Sequence, residues 1–140
     1  MAYINEMKLK FTSLSENESF ARLAVASFCS AKFNDIEDIS DIKTAVSEAV
    51  TNSIVHGYQN TMGEIEINCS LTDERAEIEI VDYGIGIADV NNAMKPFFTT
   101  KPEMERSGMG FTVMEGFMDK VLVESKTNVG TKVTLIKNLK

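Results

Sequence analysis

The sequence predicts an α+β fold, with two or three helices layered on one face of a mixed, mostly antiparallel sheet. Three observations predict it. Ile65, Ile67, Cys69 and Leu71 alternate with polar residues, as do Ala76, Ile78 and Ile80, and the intervening Asp73-Glu74 turn makes the two runs an antiparallel hairpin. Ile39, Ile42, Val46, Ala49, Val50 and Ile54 recur at helical spacing just before that hairpin. A chain of 140 residues fits one domain over residues 1–140, because a domain of ~100–150 residues can enclose its own core.

The remaining elements follow in order. Met7, Leu9 and Phe11 alternate with Lys8, Lys10 and Thr12, the period of a strand with one buried face. Ser15-Glu16-Asn17-Glu18 matches a capping box, and Phe20, Leu23, Ala24 and Phe28 continue at helical spacing, predicting a first helix from Ser15 to Ala31. Asn34-Asp35 separates it from the second helix, which Gly57 is expected to stop. From Asp82 to Ser107 there is no strong period, and a stretch well beyond ~12–15 residues with glycines in it points to function. A helix from Gly108 to about Met118, a strand over Val121 to Glu124, an Asn128-Val129-Gly130 turn and a strand from Thr131 to Ile136 complete the chain.

Composition narrows the function. Hydrophobic residues at 44% and charged residues at 25% describe a soluble globular protein. A net charge of −7 repels a phosphate backbone and the lysines are scattered, which excludes direct nucleic-acid binding. Residues 1–10 lack the apolar centre of a secretory signal and no run approaches the ~20 apolar residues of a membrane span, so a cytoplasmic protein with no membrane partner is expected. Cys29 and Cys69 are isolated and read as buried reduced thiols.

Three segments carry candidate chemistry. Glu48, Asn52 and His56 recur every four residues and form one polar stripe on an otherwise apolar helix. A solvated face accounts for such a stripe. So does a ligand-facing pair, in which the amide oxygen offers magnesium a neutral ligand and the carboxylate accepts a proton. His56, near the helix end, receives no catalytic role. Asp82 ends a strand and precedes Gly84 and Gly86, so the backbone can turn sharply beside a flat ligand while the carboxylate accepts a hydrogen bond from an exocyclic amine such as adenine's. A plain turn uses the same residues. Ser107-Gly108-Met109-Gly110 lies where a loop becomes a helix, so free amides and the positive helix end converge on a phosphate position, a glycine-rich cap being the alternative. The segment lacks the Gly-Lys-Ser/Thr ending of a Walker loop and the preceding strand of a dinucleotide fingerprint.

Glu-x-x-x-Asn on a helix, Asp-x-Gly-x-Gly after a strand, Gly-x-Gly before a helix and Gly130-Thr131 entering a late strand occur in one order from Glu48 to about Ile136. Together they resemble the GHKL ATPase and kinase family. The resemblance implies a two-layer α/β sandwich, the Bergerat ATP-binding fold, with ATP and Mg2+ between helices and sheet under a mobile lid. It further implies that Asn52 is the Mg2+ ligand, Asp82 the adenine-reading carboxylate, and Gly84 and Gly86 the turn beside the base. Gly108, Met109 and Gly110 resemble the lid hinge and phosphate cradle, Thr99, Lys101 and Ser107 further nucleotide contacts of the lid, and Thr131 the last nucleotide contact.

Glu48 selects among family members. A hydroxyl nucleophile must shed a proton, whereas a neutral histidine nitrogen is already nucleophilic, so a carboxylate base argues against histidine phosphorylation. The one histidine of the chain lies inside the nucleotide box. Family members with a further lysine-donating domain need more chain than the about four residues that follow the last expected strand. Residues 47–57, 96–101 and 106–111 are most similar to the bacterial anti-sigma factor serine kinases. That resemblance implies a homodimer that sequesters an RNA polymerase sigma factor and phosphorylates a serine of an anti-anti-sigma protein. Glu48 would be the base, and Arg106, ahead of Lys101, the cation that neutralises the γ-phosphate. A nucleotide-gated sigma-binding module of the general stress type with little kinase activity, and a simple ATPase, are the alternatives.

Overall fold

The computed structural model describes residues 4–95 and 110–140. Strand β1 (Asn5–Thr12) leads into helices α1 (Asn17–Cys29) and α2 (Ile36–Asn52), and α2 runs on into a π-helical turn, Ser53–Gly57. The hairpin β2 (Glu64–Leu71) and β3 (Arg75–Asp82) follows, then a one-turn helix α3 (Val90–Ala93), helix α4 (Gly110–Phe117) and the hairpin β4 (Lys120–Lys126) and β5 (Gly130–Asn138). The strands pair in the order β1-β2-β3-β5-β4. Every pair is antiparallel, so the sheet is simpler than the mixed one expected.

Alternation decides which side of the sheet is covered. Ile65, Ile67, Leu71, Ile78, Ile80 and Leu135 point to one face, where they meet Ile42, Val46 and Val50 of α2, all essentially buried. Each such side chain contributes roughly 1.5–3 kcal/mol on burial. A one-residue slip of β2 against β3 would turn Ile65 and Ile67 out to solvent, so the pattern sets the register in which Ile67 opposes Ile80.

The two long helices begin differently. Asp35 caps α2, its carboxylate accepting from the Glu37 amide at 2.8 Å. The capping box expected on α1 does not form. Glu16, in helical conformation, precedes the helix with no side-chain cap bond. Glu18 instead turns to α2, accepting from the Ser47 hydroxyl at 2.8 Å and pairing with Arg22 at 3.4 Å. The buried stripe of α1 is also not the expected one: Ala21, Val25, Ala26 and Cys29 face inward, while Phe20 and Leu23 are each 52% exposed. Small side chains let α1 approach α2 closely, and the larger ones are left outside.

Lys137 of β5, buried at its ammonium end, pairs with Asp41 of α2 at 3.0 Å and donates to the Phe117 carbonyl oxygen at 2.6 Å, tying the end of α4 to the start of α2. Cys29 and Cys69 are unlinked and buried, and burial pushes the Cys29 thiol up to about 12 and Cys69 up as well. No helix of the described residues is long and apolar enough to cross a membrane.

Candidate functional site

The π-helical turn at the end of α2 builds one wall of a cavity of about 510 Å³. Ala49, Asn52, Ser53, His56 and Gly57 line it, positions that share one helical face. Two members of the polar stripe therefore face a cavity and not bulk solvent. Glu48, one turn earlier and half-buried, is not among the described residues that line it. Gly57 does not simply stop the helix. The Tyr58 amide bonds the Ser53 carbonyl at 2.9 Å, a five-residue span, and the widened turn brings Gly57 over Asp82.

Asp82, at the end of β3, is 4% exposed. A Cβ on Gly57 would sit 3.0 Å from its carboxylate. Burial raises the Asp82 pKa, opposed by hydrogen bonds from the Gly84 amide, the Ser53 hydroxyl and the Thr131 amide. The Gly84 bond is 3.0 Å. A carboxylate has about four acceptor positions, so this bond leaves room for a ligand N–H.

Glycine is required where the two walls touch. The Ile85 amide donates to the Gly57 carbonyl oxygen at 2.9 Å, and a Cβ on Gly84 would lie 2.1 Å from that same oxygen. Gly86, at φ +77°, and Gly130, at φ +139°, adopt left-handed backbone and pack against the Lys126 and Asp82 carbonyls respectively. Ile85, Ile87 and Val133 supply apolar lining, and Gly110 and Phe111 at the start of α4 also line the cavity. Thr131 lines the cavity with its hydroxyl 2.8 Å from that of Ser125, which also accepts from the Ile87 amide at 2.7 Å.

Asn52, Asp82, Gly86, Gly110 and Thr131 are thus brought around one cavity, with Gly84 forming the turn behind it. Thr99, Lys101, Arg106, Ser107, Gly108 and Met109, and with them most of the expected lid, lie outside the described residues. Ser53, Ile87, Val133 and Thr127 were not foreseen at the cavity, and Asn128 was expected only as part of the Asn128-Val129-Gly130 turn. The signal for Ser53 was its adjacency to Asn52 on the same helical face. The residue types mark Asn128-Val129-Gly130 as a turn, but nothing local says that the turn reaches the cavity.

Among the described residues no three His, Cys, Asp or Glu side chains gather as a metal site. Asn52, whose neutral amide lines the cavity, fits an ion held chiefly by phosphate oxygens and water, the usual habit of Mg2+.

A helix wall, a strand-end carboxylate and a glycine-built turn around an apolar cavity have the form of a nucleotide pocket. The model of the histidine kinase-like ATPase domain matches residues 11–137, and the chain belongs to that family, whose domain binds ATP. Within it, the chain is similar to relatives named anti-sigma F factor. It is 53% identical to that of Clostridium acetobutylicum, over 95% of this chain and 93% of the relative. It is 55% identical to that of Caldanaerobacter subterraneus subsp. tengcongensis, over 98% and 96%, and 52% identical to that of Bacillus velezensis, over 96% and 93%.

Proposed function

We propose that the chain is an anti-sigma factor and an ATP-dependent protein serine kinase, which binds a sigma factor of the F type and phosphorylates a serine of an anti-anti-sigma protein. The observation that carries this reading is the near full-length similarity to anti-sigma F factors at 52–55% identity. The site supports the chemistry. Glu48 stands nine residues before Gly57, about 13 Å along a helix at ~1.5 Å per residue. An extended nucleoside triphosphate with its base at Asp82 would therefore bring its last phosphate toward Glu48.

Asp82 takes one N–H of the adenine amine, and Ile85 and Ile87 cover the base. Asn52 would hold Mg2+, which when bound offsets charge on the phosphates. Glu48 accepts the proton of the serine hydroxyl as its oxygen attacks the γ-phosphorus. The bond to the β–γ bridging oxygen breaks, and ADP leaves with the electron pair. Arg106, or Lys101, neutralises the transferring group, with Thr99, Ser107, Gly108, Met109 and Gly110 around the phosphates. In a homodimer, edge strand β1 is the proposed contact.

Incubation with labelled ATP, a sigma factor and its antagonist tests the reading. Phosphoserine on the antagonist together with a stable sigma complex is expected. Sigma binding without phosphoserine would favour a nucleotide-gated binding module, and free phosphate without a protein acceptor a simple ATPase.

A further inference from the structure

Tyr58, the first residue after the π-helical turn, lies outside the cavity lining yet is tied to both strands that frame Asp82. Its hydroxyl donates to the Glu64 carbonyl oxygen at the start of β2 and accepts the Tyr83 amide at 2.8 Å just past the end of β3. The following loop is shaped around the ring. Gln59 and Asn60 adopt φ of +53° and +63°, and a Cβ on Gly63 would stand 2.3 Å from the Tyr58 ring. Burial raises the Tyr58 pKa, with the nearby Asp82 charge adding to it, so the hydroxyl stays protonated and keeps its donor.

The Tyr83 peptide is the hinge between Asp82 and Gly84. Gly84 donates back to the Asp82 carboxylate, so the orientation of this one peptide affects both the carboxylate and the amide that holds it. The Tyr83 side chain is 57% exposed and is held at its far end, where its hydroxyl donates to the Glu66 carboxylate at 3.1 Å. The Tyr58 hydroxyl holds the peptide itself, at its N–H.

We propose that Tyr58 is a positioning residue for nucleotide selection: by holding the Tyr83 amide it keeps the free acceptor position of Asp82 turned toward the 6-amino group of the base. This rests on the proposed reading of Asp82 as the acceptor for adenine. A strut that only closes the 58–63 loop would affect every nucleotide alike, whereas a positioning residue affects those that carry the amine.

The test compares ATP with purine riboside triphosphate, which lacks the 6-amino group, by direct binding to the full chain before and after Tyr58→Phe. The wild type should prefer ATP. In the variant, ATP affinity should fall about tenfold, in keeping with loss of one hydrogen bond's worth of alignment, while the analogue changes by less than about twofold. Equal weakening of both nucleotides, or no change in either, would overturn the Tyr58 role and leave Asp82 standing. A wild type without preference would overturn the Asp82 reading and the inference with it. Amide exchange in the wild type gives a second readout that does not depend on the variant folding: the Tyr83 N–H should be protected, and exchange at the rate of a free amide would rule out the clasp.

Discussion

At the β3 exit, a Cβ on Gly84 would stand 2.1 Å from the Gly57 carbonyl oxygen and one on Gly130 2.1 Å from the Asp82 carbonyl oxygen, whereas one on Gly116 of α4 would meet nothing within 4 Å. Both regions border the nucleotide cavity, since α4 contributes Gly110 and Phe111 to it. In the first, two backbones are pressed together around a buried carboxylate, and glycine is a steric requirement. In the second, glycine is a cost to the helix, set by no contact among the described residues. Residue type alone therefore does not mark a site; the neighbours across the fold do.

Substitutions can break or sharpen this contrast. The largest effect is expected from Gly84→Ala, because neither backbone can yield 1 Å without opening the clasp. Chemical denaturation should show a loss of about 2–3 kcal/mol or more, and ATP binding should disappear. A variant of native stability would mean that the two walls are not in contact.

Asp82→Asn should lower ATP affinity about a hundredfold, since the amide presents a donor where the base needs an acceptor. Its effect on stability should run the other way and depend on pH. Burial raises the Asp82 pKa, so the folded state holds the proton more tightly than the unfolded chain. The ionised carboxylate therefore costs stability above the folded pKa, and that cost fades as pH falls toward the ordinary aspartate range. The variant should be at least as stable as the wild type at neutral pH, with its advantage shrinking on acidification. An advantage that grew toward low pH would contradict the assigned direction.

Gly57→Ala should be milder. Its added Cβ would lie 3.0 Å from the carboxylate, a contact that small shifts can relieve. An affinity loss of about tenfold with less than about 1 kcal/mol of destabilisation is expected by titration and melting. The smallest change belongs to Gly116→Ala, which should stabilise the fold by about 0.5 kcal/mol and leave ATP binding unaltered.

The same distinction governs how far the chain could be read. The hairpin β2–β3, the late hairpin β4–β5 and the core face of α2 were legible because strand and helix geometry impose periods of two and 3.6 on whatever must be buried. Asn52, Asp82, Gly110 and Thr131 were legible because each stands at a fixed point on such an element. The buried face of α1 was not. Apolar residues surround that helix, so its periodicity selects no side, and close approach to α2 favoured Ala21, Val25 and Cys29 over Phe20 and Leu23. Glu18 was misread for a related reason: the acceptor that a local capping rule assigned to its own helix found the Ser47 hydroxyl on another.

By itself, then, the sequence determined the layered fold, the boxes of the cavity and the family, since these depend on spacing along one chain. The widened turn at Ser53–Gly57, the burial of Asp82 beneath it and the Tyr58 clasp were decided only in the tertiary structure. Gly57 meets Asp82, and the Tyr58 hydroxyl meets the Tyr83 amide, across 25 positions of chain, and whether two such groups meet is set by how helix and sheet pack, which no local period records.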